Sequence, residues 1–195
     1  MQIECRDANG ITLVPIQTHL LAQRRILVQG SIDEDAASLF LAQMMVLNAQ
    51  DTERPIDVFI NSPGGEIVSG MLMYDVIQSS RAPVRLFCTG MAYSMGAVLL
   101  ACGGHGRYIL PNSKVMIHEP LLGSGVRGSA TSIRSVSDNL LEERSRMNRI
   151  LSRHTGRSME EVEQATSYDH YMTPEESVAF GLCDRVMSFA EMMEG

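Results

Sequence analysis

The chain has 195 residues, 45% of them hydrophobic and 20% charged, and a formal net charge of −7. A chain of this length is expected to form one domain, residues 1–195, that buries about 70% of its unfolded surface. The acidic balance argues against nucleic acid as the main partner, because a phosphate-binding surface needs clustered Lys and Arg.

The four cysteines and the single lysine argue against several further kinds of site. Cys5, Cys88, Cys102 and Cys183 show no C-x-x-C spacing, so we expect neither a metal site nor a disulfide framework, and a reducing compartment is indicated. Lys114 lies outside any G-x-x-x-x-G-K-[ST] pattern, so no ATP-binding P-loop is predicted. No signal peptide or membrane-spanning apolar run is recognisable, and we expect a cytoplasmic protein that does not bind a membrane.

Short apolar strands alternate with helices along most of the chain, a pattern that favours a layered α/β fold. The N-terminal stretch carries one short apolar run, 11–16, a possible short strand that Pro15 would place at a sheet edge or break. Further strands are predicted at 25–29, 56–61, 84–89, 107–110, 115–118 and 183–187. One helix is predicted from 31–35 to about Leu47, and two more begin after capping boxes at Ser158 and Thr173. A further helix is predicted at 68–78, and its apolar face consists of Val68, Met71, Leu72 and Val76.

The longest predicted helix, about residues 132–153, follows a glycine-rich stretch at 123–129. We expect an i,i+4 pair between Glu142 and Arg146. The helix either projects from the body and packs against a partner or is an ordinary core helix. Its apolar stripe consists of Ile133, Val136, Leu140, Met147, Ile150 and Leu151.

Ser94 is predicted to lie on a sharp turn between a strand and a helix. The apolar run 84–89 ends at Gly90, and a small-residue helix pattern begins within a few positions. Such a turn holds a hydroxyl clear of the sheet, and the N–H groups of the following helix can stabilise an oxyanion. A plain helix N-cap is the alternative for Ser94.

The double glycine Gly64-Gly65 after the preceding strand is likewise either a simple turn or a loop whose N–H faces a ligand.

A serine nucleophile needs a base and an acid that orients the base. His118 is the best candidate base, because it ends an apolar strand. The other histidines considered, His19, His105 and His154, are interpreted as structural or surface residues. From the residues alone, Asp138, Asp169 and Asp184 remain open as the acid. The order Ser then His, and Ala92 in place of the first glycine of G-x-S-x-G, disfavour an α/β-hydrolase.

The motifs around these residues resemble those of the proteolytic subunits of Clp proteases, the ClpP family. The resemblance covers most of the chain beyond about Arg25. It is carried by FINSPGGEIVSGM at 59–71, GMAYSMGA at 90–97, LPNSKVMIHEP at 110–120, RMNRILSRHTG at 146–156 and DHYMTPEESVAFGLCD at 169–184.

The resemblance implies a serine endopeptidase with Ser94 as nucleophile, His118 as general base and Asp169 as the orienting acid. It implies the backbone N–H groups of Gly65 and Met95 as the oxyanion hole. The implied fold is crotonase-like, with stacked β-β-α units and a projecting handle helix, and the handle arm and helix would span about 121–153. No cofactor is implied.

The same resemblance implies how the protein assembles. Family members form seven-membered rings that stack in pairs as tetradecamers, and an AAA+ unfoldase feeds unfolded polypeptides into the chamber, so that ATP is used only by this partner. Residues 1–24 do not resemble the usual N-terminal segment. Met91, Tyr93 and Tyr168 also depart from the family pattern, and the arm around Gly123 is slightly longer.

Three other hypotheses stay open at this point. The first is a catalytically weak or regulatory subunit of a mixed ring. The second is a crotonase-type acyl-CoA enzyme, which would share the fold and need no pair of Ser94 and His118. The third is a serine-lysine peptidase, in which Lys114 would replace His118 as the base.

Overall fold

The computed structural model describes residues 1–7, 10–122 and 127–194. These residues form nine strands and eight helices. The strands are β1 (Gln2–Asp7), β2 (Gly10–Pro15), β3 (Arg25–Gln29), β4 (Ile56–Ser62), β5 (Val84–Tyr93), β6 (Arg107–Ile109), β7 (Lys114–Ile117), β8 (His170–Met172) and β9 (Arg185–Val186). The helices are α1 (Ile16–Ala22), α2 (Glu34–Gln50), α3 (Ile67–Ser79), α4 (Met95–Ala101), α5 (Ala130–Thr155), α6 (Met159–Thr166), α7 (Pro174–Phe180) and α8 (Phe189–Glu194).

A seven-stranded, mostly parallel sheet organises the molecule, and the predicted α/β fold class is confirmed. β3, β4 and β5 pair in parallel in chain order. The first half of β5 pairs with β6 and its last three residues pair with β7. β9 pairs in parallel with β6, and β8 pairs antiparallel with β7. As a result β5, β7 and β8 lie side by side at one end of the sheet.

The prediction that β5 ends near Gly90 is wrong, because the strand continues to Tyr93. Gly90 has φ +149°, and a Cβ there would lie 2.6 Å from Asn61 Oδ1. The Asn61 amide oxygen accepts the N–H of Met91, and the register with β4 shifts at this point. The glycine therefore marks a local irregularity within the strand and not its end.

The core lies between the sheet and its helices. Phe40, Met44 and Leu47 of α2 are buried. The predicted helix α3 is present and Met71 of its predicted apolar face is buried, but the prediction is wrong for Val68 and Leu72, which are exposed. α3 is apolar almost all the way round, so its periodicity does not select a face. Its buried residues are Ser69, Gly70, Met71, Met73, Tyr74 and Ile77.

The long helix α5 is packed along only part of its length. Residues 130–139 are all exposed, whereas Met147, Ile150 and Leu151 are buried. The predicted ion pair is formed by Glu143 with Arg146, at i,i+3, and not by Glu142. Of the glycine-rich arm, residues 123–126 lie outside the described residues.

Both chain ends contain elements that the sequence analysis did not find. β2 coincides with the apolar run at 11–16, but β1, which pairs with it in a separate two-stranded antiparallel sheet, was not predicted, and neither was α1, which begins directly after Pro15. Near the C-terminus, only Arg185–Val186 is strand, and α8 follows it. The two predicted capping boxes are both present, and Gly181 ends α7 in a left-handed conformation.

Candidate active site

Ser94 lies at the abrupt turn from β5 into α4, as predicted. Its backbone has φ 52° and ψ −120°, a conformation that non-glycine residues rarely adopt. Such a conformation costs about 1–3 kcal/mol and persists only where the surroundings enforce it. Here the Ser94 N–H donates to the carbonyl of Met116 at 2.8 Å, and all seven residues of α4 are buried.

The double-glycine loop after β4 packs directly against this turn. Gly64 has φ +94°, and a Cβ at this position would lie 2.7 Å from Ser94 Cβ and 3.1 Å from Met95 N. A Cβ on Gly65 would lie 2.2 Å from the carbonyl oxygen of Ile32. Neither position can hold a side chain without moving the backbone, so the two glycines allow the loop to approach the Ser94 turn this closely.

His118 follows β7 and lies within hydrogen-bonding distance of Ser94. Its Nε2 is 2.9 Å from Ser94 Oγ, and its Nδ1 is 3.1 Å from Oδ1 of Asp169. The His118 side chain is only 13% exposed, whereas that of Asp169 is 60% exposed. A hydroxyl after β5, an imidazole after β7 and a carboxylate before β8 are thus joined by two consecutive hydrogen bonds.

The other two candidate acids lie in different environments. Asp138 is on the exposed part of α5, 4.0 Å from Arg134. Asp184 accepts hydrogen bonds from the backbone N–H and the guanidinium of Arg107. Of the three carboxylates that the sequence leaves open, the structure brings only Asp169 to His118.

The three other histidines considered from the sequence, and Lys114, are engaged elsewhere or exposed. His19 lies beside Cys5 and Gln23. His154 Nε2 is 2.9 Å from the hydroxyl of Tyr74, and burial, followed by the charges of Arg153 and Arg107, lowers the pKa of His154. His105 and Lys114 are exposed. The imidazole beside Ser94 belongs to His118.

The buried cysteines are poorly suited to act as nucleophiles. Burial raises the pKa of the Cys88 thiol to about 11 and those of Cys102 and Cys183 to about 12. Thiols with such values stay protonated near neutral pH, and the thiolate is the reactive form.

Of the two predicted oxyanion donors, Met95 lies in the Ser94 turn and Gly65 lies in the loop that packs against it. Met95 is the first residue of α4, where backbone N–H groups have no partner within the helix. Within residues 1–7, 10–122 and 127–194, the N–H groups of Gly65 and Met95 donate to no protein acceptor. Both groups are therefore available to an oxygen atom bound near Ser94.

A small apolar cavity of about 30 Å³ opens beside Ser94 and His118. Apart from these two residues its lining is apolar, and it includes the buried C-terminal part of α5. The lining side chains are Ile67, Met95, Val98, Ile117, Pro120, Met147 and Leu151.

The family model described as Clp protease matches residues 8–190. The chain belongs to the Clp protease family. The match spans nearly the whole chain, so the family assignment includes the β5 turn, the end of β7 and β8 together. The family implies a serine peptidase, and the mixed α/β architecture with its mostly parallel sheet agrees with this membership. None of the described helices is long and apolar enough to cross a membrane.

One feature next to the site escaped the sequence analysis. The rings of Tyr93 and Tyr171 meet edge to face, with centroids 5.5 Å apart and an interplanar angle of 89°. Tyr93 directly precedes Ser94, and Tyr171 lies two residues after Asp169. The only signal in the sequence was that Tyr93 departs from the family pattern, which does not indicate its contact with Tyr171.

Proposed function

We propose that this chain is the proteolytic subunit of an ATP-dependent Clp protease, a serine endopeptidase that hydrolyses peptide bonds of unfolded proteins. The observation that carries the proposal is the continuous arrangement Ser94 Oγ, His118 Nε2, His118 Nδ1 and Asp169 Oδ1, with separations of 2.9 and 3.1 Å. Membership of the Clp protease family supports it independently.

In the proposed reaction, Ser94 Oγ attacks the scissile carbonyl carbon while His118 Nε2 takes the hydroxyl proton. Asp169 accepts the Nδ1–H of His118, which fixes the tautomer and stabilises the imidazolium. Collapse of the tetrahedral intermediate breaks the C–N bond, and His118 gives its proton to the leaving amine. Water then attacks the acyl-enzyme, His118 again takes and returns a proton, and Ser94 is regenerated.

The oxyanion of each tetrahedral intermediate would be held by the N–H groups of Gly65 and Met95. A single donor of this kind typically stabilises the transition state by about 3–4 kcal/mol. The absence of a protein acceptor for either group in the described part of the chain supports this role. The close approach of the Gly64-Gly65 loop to the Ser94 turn also supports the role of Gly65.

We also propose that the chain works within stacked seven-membered rings and receives substrates from an AAA+ unfoldase of the Clp family. The exposed N-terminal half of α5 supports an assembly, because Ile133, Val136 and Leu141 expose 49%, 37% and 57% of their surface. Apolar residues along one exposed helix segment are typical of a surface that packs against another chain. The residues of the proposed site supply peptide hydrolysis only, so the energy for unfolding has to come from the partner.

The test compares the parent chain with Ser94→Ala in hydrolysis of a fluorogenic peptide and of an unfolded protein. We expect the parent to sediment as a multimer and to cleave, and Ser94→Ala to sediment identically without cleaving. His118→Ala and Lys114→Ala form a matched pair: only the histidine variant should be inactive. Hydrolysis retained by Ser94→Ala would refute the serine mechanism. An assembled parent that does not cleave would support the regulatory subunit instead.

A further inference from the structure

The three strands that carry the proposed triad are spanned by a pair of aromatic rings. Tyr93 of β5 is in register with Met116 of β7, and Met116 is in register with Tyr171 of β8. Residues in register across neighbouring strands project from the same face of a sheet. The rings of Tyr93 and Tyr171 nevertheless make contact across the width of β7, with centroids 5.5 Å apart, and Met116 between them is only 7% exposed.

The carboxylate of Asp169 has little else to hold it in place. Its side chain is 60% exposed, and its one hydrogen bond within the described residues is to His118. It precedes β8, a strand of only three residues with three register pairs to β7. The position of Asp169 relative to His118 therefore depends on what keeps β8 docked.

Side chains contact β8 from both of its faces. Successive residues of a strand point to opposite faces, and His170 packs on the face opposite to Tyr171. The His170 ring lies 5.3 Å from that of Tyr168 and 6.2 Å from that of Phe180. On the other face, the contact between Tyr171 and Tyr93 joins β8 to β5, the strand that ends directly before Ser94. Of these contacts, only the tyrosine pair connects the strand that follows Asp169 to the strand that precedes the nucleophile.

We propose that Tyr93 and Tyr171 are positioning residues for the triad. Their edge-to-face contact fixes the distance between β5 and β8, and thereby keeps Asp169 within hydrogen-bonding distance of His118. Neither tyrosine takes part in proton transfer. The proposal rests on the proposed serine-peptidase function, which gives Asp169 its task.

The experiment compares Tyr171→Ala and Tyr93→Ala with Tyr171→Phe and Tyr93→Phe, which keep the rings and remove only the hydroxyls. For each Ala variant we expect kcat for peptide hydrolysis to fall about tenfold or more, since small misplacements of catalytic groups are costly, while KM stays within about twofold. The Phe variants should match the parent. The double Ala variant should lose no more than a single one, because both changes remove the same contact.

Hydrogen exchange measured by mass spectrometry gives a second readout that does not need activity. We expect residues 168–172 to exchange faster in Tyr171→Ala than in Tyr171→Phe, while peptides from β4 stay unchanged. Equal kcat in the Ala and Phe variants, a loss found only in KM, or multiplying effects in the double variant would overturn the proposal. If the parent does not hydrolyse peptides, the proposed function fails, and equal exchange of 168–172 in the Ala and Phe variants then overturns the positioning role separately.

Discussion

The two ends of the hydrogen-bonded chain at the site are held in different ways. Ser94 has a strained backbone enclosed by the buried helix α4 and by Gly64, whose Cβ position is 2.7 Å from Ser94 Cβ. Asp169 is 60% exposed and precedes a three-residue strand. The nucleophile is thus fixed by close packing of the main chain, whereas the acid depends on a few side-chain contacts. Substitutions beside Ser94 should therefore lower stability and activity together, whereas substitutions of Asp169 should lower activity without lowering stability.

The largest expected effect is at the exposed end. Asp169→Asn should lower kcat by about 10⁴, because an amide neither holds the required imidazole tautomer nor stabilises the imidazolium. The free energy of unfolding should change by less than about 0.5 kcal/mol, since the side chain is on the surface. Asp138→Asn is the matched control, another exposed aspartate, and should leave both quantities unchanged. A stability loss as large as the loss of activity would contradict the comparison.

At the enclosed end, Gly64→Ala should impair both properties. Its new Cβ would meet Ser94 Cβ and the carbonyl oxygen of Tyr93 at 2.7 Å, with φ at +94°. We expect the free energy of unfolding to fall by about 2–4 kcal/mol, and kcat to fall about 100-fold as the Ser94 turn shifts.

The control for Gly64→Ala is Gly104→Ala. A Cβ at Gly104 would have no atom within 4 Å, so denaturant unfolding and kcat should both match those of the parent. If Gly64→Ala lost activity at full stability, the turn would not be fixed by packing in the way described.

The smallest expected effect concerns the capping box that follows β8. Hydrogen bonds from the backbone N–H and then the side chain of Thr173 lower the pKa of Glu176 from its ordinary 4.5. A carboxyl whose pKa is lowered by folding stabilises the fold fully at pH values above its ordinary pKa. This stabilisation is lost as the pH falls through the lowered pKa. Glu176→Gln should therefore lower Tm most above about pH 4.5 and progressively less below it.

Glu175→Gln serves as the control for this effect. It removes a charge from the same first turn of α7 but keeps the capping box, so its Tm should stay closer to that of the parent at neutral pH. A Tm difference between Glu176→Gln and the parent that grows on acidification would contradict the assigned direction of the pKa shift.

Local patterns predicted most of the elements from β3 onward, and chemistry at strand ends selected Ser94 and His118. The choice among Asp138, Asp169 and Asp184 was not available from the residues, because it depends on β8 pairing with β7, a contact between segments about 50 residues apart. The resemblance to a family supplied Asp169, and the structure brings it to His118. The roles of these residues remain proposals.

The missed features share a physical cause. β5 continues past Gly90 because its last three residues pair with β7, a pairing between distant segments that local sequence does not indicate. Ile133 and Val136 follow the same periodicity as Met147 and Ile150, yet only the second pair is buried in the chain. Periodicity identifies an apolar face but not whether the chain itself covers that face.

The most direct test of the proposed mechanism is intact mass after treatment with a fluorophosphonate probe, followed by peptide mapping. Such a probe reacts with an activated serine far faster than with an ordinary hydroxyl. We predict a single adduct on Ser94 in the assembled protein, absent from Ser94→Ala and strongly slowed in Asp169→Asn. No adduct, or an adduct on another residue, would contradict the claim that Ser94, His118 and Asp169 form a working triad.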